Sequence, residues 1–119
     1  MTATRDEHTV EEHFANRAPE VAATYRAILA AAKKLGPMRE EAKKTSIHLV
    51  RKTAFAGVAT RRTALILTLK AAADIPGPRI AKREQASANR WHHEVRLEGP
   101  EEVDGELVEW LWQAYELAR

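Results

Sequence analysis

The 119-residue sequence contains no cysteine. That excludes disulfides, thiolate nucleophiles and Cys-based zinc or iron–sulfur sites. Long apolar runs are also missing. The longest, Ala27–Ala32 and Ala64–Leu67, fall far short of the ~20 residues a membrane span needs, so no membrane association is expected. Met1-Thr2-Ala3-Thr4-Arg5-Asp6-Glu7 has no apolar segment of the kind a secretory signal carries, and the expected location is cytoplasmic. Glycine is scarce and scattered. Gly57 and Gly77 stand alone, so there is no Gly-rich loop to cradle a nucleotide phosphate. Pro19 and Pro100 open helices but are each followed by glutamate, which repels a phosphate from those helix ends.

What is present is charge, unevenly spread. Residues 33–90 carry fourteen Lys or Arg against four acids, while residues 91–119 carry two Arg against eight acids. A basic middle with acidic flanks fits an anionic partner for the middle; it equally fits acidic helices neutralising basic strands within the fold.

Hydrophobic spacing organises the chain. Residues 1–8 read as a frayed tail and residues 9–119 as a single α+β domain. Thr9 and Glu12 have capping-box spacing, which predicts a short helix from Val10 to about Asn16. Val21, Tyr25, Ile28, Leu29, Ala32 and Leu35 follow a helical period between Pro19 and Gly36-Pro37. Strands are then expected at Lys44–Lys52, Ala54–Val58, Ala64–Lys70 and Trp91–Leu97, with Gly57 a candidate bulge or close backbone approach. Arg79–Arg90 is ambiguous, with room for a short helical turn. A last helix opens at Gly99-Pro100, its stripe Val103, Leu107, Trp110, Leu111, Ala114 and Leu117. The order is α-α-β-β-β-β-α: an antiparallel sheet of about four strands, with two N-terminal helices and one C-terminal helix packed on it.

Alternation assigns faces. Ile47, Leu49, Leu65, Leu67 and Leu69 point inward, as do Trp91, His93, Val95 and Leu97. The opposite face collects Lys44, Ser46, His48, Thr68, Lys70, His92, Glu94 and Arg96. Ligand or nucleic-acid binding is therefore expected at Lys44, Ser46, His48, Lys70, Arg90, His92 and Arg96, with Arg61, Arg62, Arg79, Lys82 and Arg83 at the rim. Trp91 and Phe55 are either core residues or groups for stacking bases.

Catalytic signatures are absent. His8 and His13 are five apart, not the four of a zincin helix, and the adjacent His92 and His93 point to opposite faces. There is no Gly-x-Ser-x-Gly elbow, and Ser46 or Ser87 would meet His48 or His92 only through the fold. Glu40-Glu41 and Glu101-Glu102 read as solvated or capping acids. No catalytic residue, metal or cofactor is assigned. The expected function is a small non-enzymatic binding module for nucleic acid or another polyanion. One alternative is a homodimer or partner-protein surface at the C-terminal helix, where Trp112 and Tyr115 flank the stripe. Another is a small-ligand binder or enzyme using His48, His92 and Glu94.

Five stretches also carry a family likeness: Lys43–Leu49, Phe55–Val58, Leu65–Lys70, Ser87–Leu97 and Trp110–Glu116. Together they resemble the bacterial domain of unknown function 5655, over roughly residues 10–118. Members stand alone, or behind nuclease-type domains, or beside other uncharacterised domains. The resemblance therefore implies a nucleic-acid setting by company alone.

Overall fold

Pro19 lacks the N–H that a first helical turn leaves unused, and it begins the helix α1 (Pro19–Leu35) in the computed structural model, which describes residues 8–119. Glu20 sits at the positive end of α1 and Lys33 and Lys34 at the negative end, each favourable against the helix dipole. Val21, Tyr25, Ile28 and Ala32 are buried. The helix stops at Gly36, where φ is 149° and ψ −169°. There the Tyr115 hydroxyl donates to the Pro37 carbonyl at 3.0 Å.

Upstream, the capping box forms. The Thr9 N–H donates to Glu12 Oε1 at 2.7 Å, and the Glu12 N–H to Thr9 Oγ1 at 3.2 Å. What it caps is a single 3-10 turn, Glu11–Phe14, instead of the helix expected to Asn16. Asn16 at φ 60° breaks the helical path. The turn is held from outside: Thr60 Oγ1 donates to the His13 carbonyl at 2.6 Å, and His13 Nε2 to the Lys43 carbonyl at 2.8 Å. The tail expected at residues 1–8 lies outside the described residues except for His8, whose ring is 3.0 Å from Glu12.

The sheet has six strands where four were expected. They are β1 (Arg39–Ala42), β2 (Ile47–Val50), β3 (Ala54–Thr60), β4 (Leu65–Ala71), β5 (Ile80–Ser87) and β6 (Arg90–Leu97). The spatial order is β1-β2-β3-β4-β6-β5, and every pairing is antiparallel. Both unforeseen strands lie at the edges. β1 reads Arg-Glu-Glu-Ala, and only Ile80 of β5 is buried. Neither shows alternation, because an edge with little cover selects no apolar side. The ambiguous segment 79–90 is thus mostly strand. Lys44 belongs to the β1–β2 bend, not to β2.

The bulge lies not at Gly57 but one turn of the pleat earlier. Val50 pairs with Ala54 and Leu49 with Ala56, leaving Phe55 as the extra residue. Its ring is buried and meets Tyr115 edge-on, with centroids 5.3 Å apart. Phe55 is a core residue.

The helix expected from Gly99 is divided. A 3-10 turn, Pro100–Glu102, precedes α2 (Gly105–Leu117). Asp104 causes the break: its Oδ1 accepts from the Leu107 N–H at 3.1 Å, the contact of an N-cap. Leu107, Leu111, Ala114 and Tyr115 of α2 join the α1 stripe and the inward strand residues in one core. The protein is an α+β fold with both helices on one face of the sheet, and among the described residues no helix covers the other.

Candidate functional site

Antiparallel register makes the uncovered face explicit, because residues opposite each other share a side. His48 pairs with Gly57, Gly57 with Thr68 and Thr68 with Glu94; Lys70 pairs with His92, and Ile66 with Arg96. The partners of each in its own strand, Leu49, Leu67, Leu69 and Val95, are buried against the helices. The fold thus brings His48, Lys70, His92 and Arg96 to one face, together with Thr68 and Glu94. Ser46 flanks them, just before β2. Arg90 opens β6 and donates to the Asn89 carbonyl at 3.0 Å, at the hairpin end of the strand. Lys44 stands apart: it lines a separate polar hollow with Glu12, His13, Arg17 and Thr60.

The centre of the face is a trough of about 390 Å³. Small residues make it: Ala54, Gly57 and Ala59 on β3 raise no side chain of any length. Ser46, His48, Thr68, Lys70 and His92 stand around them. Glu94 and Arg96 share the face but do not line the trough. His48 on β2 and His92 on β6 are three interstrand steps apart, roughly 14 Å across the sheet. That is too far for a shared proton or ion. Among the described residues no three His, Asp or Glu side chains come together as a metal ion would require.

Electrostatically, much of the basic middle is answered from within. Arg79 Nη1 lies 2.9 Å from Asp104 and 3.1 Å from Glu106, and its Nη2 donates to the Glu102 carbonyl at 2.8 Å. Arg83 is 3.0 Å from Asp74, Arg96 is 3.1 Å from Glu98, and Arg39 and Lys43 both reach Glu41. The Arg79 guanidinium and the Leu107 N–H hold the Asp104 carboxyl below the usual range; Arg39 and Lys43 do the same to Glu41. Of the rim cations, Arg79 is thus tied to carboxylates of the acidic C-terminal segment and Arg83 to Asp74, whereas Arg61, Arg62 and Lys82 have no carboxylate within 4.0 Å among the described residues. Among the described residues Lys70 has no carboxylate within 4.0 Å. It is the cation the trough presents. His92 Nδ1 is 4.0 Å from Glu84.

On the opposite side of β6, His93 is fully buried and stacks on Trp91, with centroids 5.9 Å apart. Its Nε2 is 3.1 Å from the Ile75 N–H and 2.9 Å from Asp74 Oδ1, which pins the segment 72–79 over the sheet. His93, and then Arg83, lower the Asp74 pKa. Trp91 therefore belongs to the helix side and cannot stack a base on the open face. Trp112 of α2 does reach solvent, at 45% exposure, beside a second hollow with Ile75 and Leu117.

Gly57 is the residue of the site that the sequence marked only as a bulge or a close backbone approach. The signal was a glycine inside a strand, but its meaning depends on the neighbours that register supplies. No helix is long and apolar enough to cross a membrane among the described residues. No curated protein and no solved structure matches the chain. A family model described as "Domain of unknown function (DUF5655)" matches residues 10–118, nearly the whole chain, and the protein belongs to that family.

Proposed function

We propose that the protein is a binding module that receives an anionic group in the open-face trough, at Lys70 and His92, with His48 across the trough from them. The supporting observation is the trough itself, with Lys70 on its rim and no carboxylate within 4.0 Å of that lysine among the described residues. Antiparallel sheets commonly solvate one face with a level polar surface; a hollow ringed by nitrogen groups is a different feature and suits a ligand. A single phosphate or carboxylate fits this arrangement better than a long polyanion, because Arg79, Arg83 and Arg96 are engaged elsewhere. Nucleic acid then becomes a source of such a group, one nucleotide at a time.

The test is an NMR titration of the ¹⁵N-labelled chain with inorganic phosphate and with short single-stranded DNA, at low and high salt. Shifts centred on His48, Gly57, Lys70 and His92 that weaken with salt, and that Lys70→Ala removes, are expected. Shifts centred on Arg61 and Arg62 instead, or none at low salt, refute the reading.

A second reading has its own support in Trp112, which is large, apolar and exposed beside the hollow it shares with Ile75 and Leu117. We propose a self-association or partner contact there. Sedimentation equilibrium tests the self-association: a mass that rises with concentration, and that Trp112→Ser holds at one chain, is expected. A single-chain mass at every concentration defeats the homodimer.

A further inference from the structure

Gly57 has no conformational reason to be glycine. It pairs in register with His48 and Thr68, and its backbone is one that any residue adopts. A glycine inside a strand weakens it, so the position gives up stability. What the missing side chain leaves is a slot. An atom at the place of a Gly57 Cβ would stand 3.9 Å from His48 Cδ2 and 4.0 Å from Thr68 Cβ, with nothing else within 4 Å. Carbon atoms attract best at ~3.5–4.0 Å. A layer one atom thick therefore touches the imidazole on one side and Thr68 on the other. That is the shape of a flat ring standing on the Gly57 backbone.

Register also sets where charge is met. Lys70 follows Thr68 by two residues on β4 and faces His92. From Gly57 to Lys70 is one interstrand step and two residue steps, roughly 8 Å between Cα atoms. An arm a few bonds long carries an anionic group from the slot to the lysine. Glu94 stands opposite Thr68 and disfavours negative charge directly over the slot. So the ring and the charge are separated: ring at Gly57, anion at Lys70 and His92.

We infer that the trough takes a flat aromatic ring in the slot over Gly57 with its anionic arm at Lys70 and His92, the chemistry of a mononucleotide or of one nucleotide in a single strand. This rests on the open-face reading and adds the ring. Calorimetric titrations of the full chain with adenosine 5′-monophosphate, ribose 5-phosphate and inorganic phosphate test it. The nucleotide is expected to bind at least tenfold more tightly than ribose 5-phosphate. Gly57→Val fills the slot with a residue that strands favour. It is expected to keep the fold and the ribose 5-phosphate affinity, and to bring the nucleotide down to that level. Should Gly57→Val fail to fold, Gly57→Ala, whose Cβ makes only ordinary contacts, serves with a smaller loss of the same sign. Equal binding of nucleotide and ribose 5-phosphate, or a nucleotide advantage that survives both variants, overturns the ring and leaves the anion site standing. No binding of any probe at low salt overturns both. A single-stranded trinucleotide separates the sources: tighter binding than the mononucleotide identifies a strand, equal binding a free nucleotide, and either upholds the slot.

Discussion

Replacing Gly36 by alanine incurs two separable costs. The first is in the backbone. At φ 149° and ψ −169°, an alanine is held in a region only glycine enters freely, which costs about 1–3 kcal/mol. The second is steric. The new Cβ overlaps the Tyr115 hydroxyl and stands 3.2 Å from Cζ. Tyr115 has nowhere to retreat: it is buried, lies edge-on to Phe55 and has the Arg51 guanidinium 4.1 Å above its ring. Displacing it breaks its bond to the Pro37 carbonyl, about 0.5–1.5 kcal/mol. The total is about 2–4 kcal/mol, or a fall in Tm of roughly 8–16 °C at about 4 °C per kcal/mol for a domain of this size. Tyr115→Phe loses the hydrogen bond alone, about 1 kcal/mol. In that background Gly36→Ala meets no hydroxyl, so the double variant is less destabilised than the sum by about 1 kcal/mol. Urea unfolding of the four chains, followed by circular dichroism, measures the cycle. A loss below about 0.5 kcal/mol for Gly36→Ala refutes the whole argument. Strict additivity refutes the overlap while leaving the backbone cost.

Asp74 and Asp104 are held below the ordinary carboxylate range, Asp74 chiefly by His93 and Asp104 chiefly by Arg79. A depressed folded-state pKa means stability that is in place above the unfolded value, ~3.9, and lost as pH falls through the folded value. The urea midpoint should therefore drop between about pH 5 and 3, and Asp74→Asn with Asp104→Asn should shrink that drop; an unchanged acid profile contradicts the assignment. Arg79→Lys keeps the charge but not the planar fork that spans Asp104, Glu106 and the Glu102 carbonyl, and a loss of about 1–2 kcal/mol is expected. Hydrogen exchange should quicken first in β5, and protection there equal to the parent chain would show that Arg79 does not anchor it. Phe55→Ala empties the space edge-on to Tyr115 and should cost about 3–5 kcal/mol in chemical unfolding; under about 1 kcal/mol would mean the bulge residue is not core.

Elements with one face committed to the core were readable from the sequence. Leu65, Leu67 and Leu69 alternate because α2 covers that side of β4, and Val95 and Leu97 alternate because their side of β6 joins the same core. The same parity put His48, Lys70, His92 and Arg96 outward, so that side of the site was legible except for Lys44, which the β1–β2 bend carries to a separate hollow. Edges were not. Arg39–Ala42 and Lys82–Ser87 are strands because β2 and β6 offer them hydrogen bonds, and their side chains carry no record of it. Three further things depend on distant partners. Asp104 divides the last helix by taking the Leu107 N–H. The rim arginines find carboxylates far along the chain, such as Arg79 with Asp104 and Glu106. The slot over Gly57 needs His48 from β2 and Thr68 from β4 in line with it, and interstrand register is not written in any one strand.

Every pair of adjacent strands but one is also adjacent in sequence. The exception is the seam between β4 and β6, closed around the whole of β5. Strands β1 to β4 zip up through successive hairpins, as β5 and β6 do by themselves, and such local steps are fast. The seam closes the longest loop in the sheet and carries its largest closure entropy. The trough straddles it: Gly57 and Lys70 lie on one side, His92 on the other. A half-assembled chain lacks the His92 side of the trough. Whatever bridges Lys70 and His92 binds only after the two halves have joined, and by mass action keeps them joined.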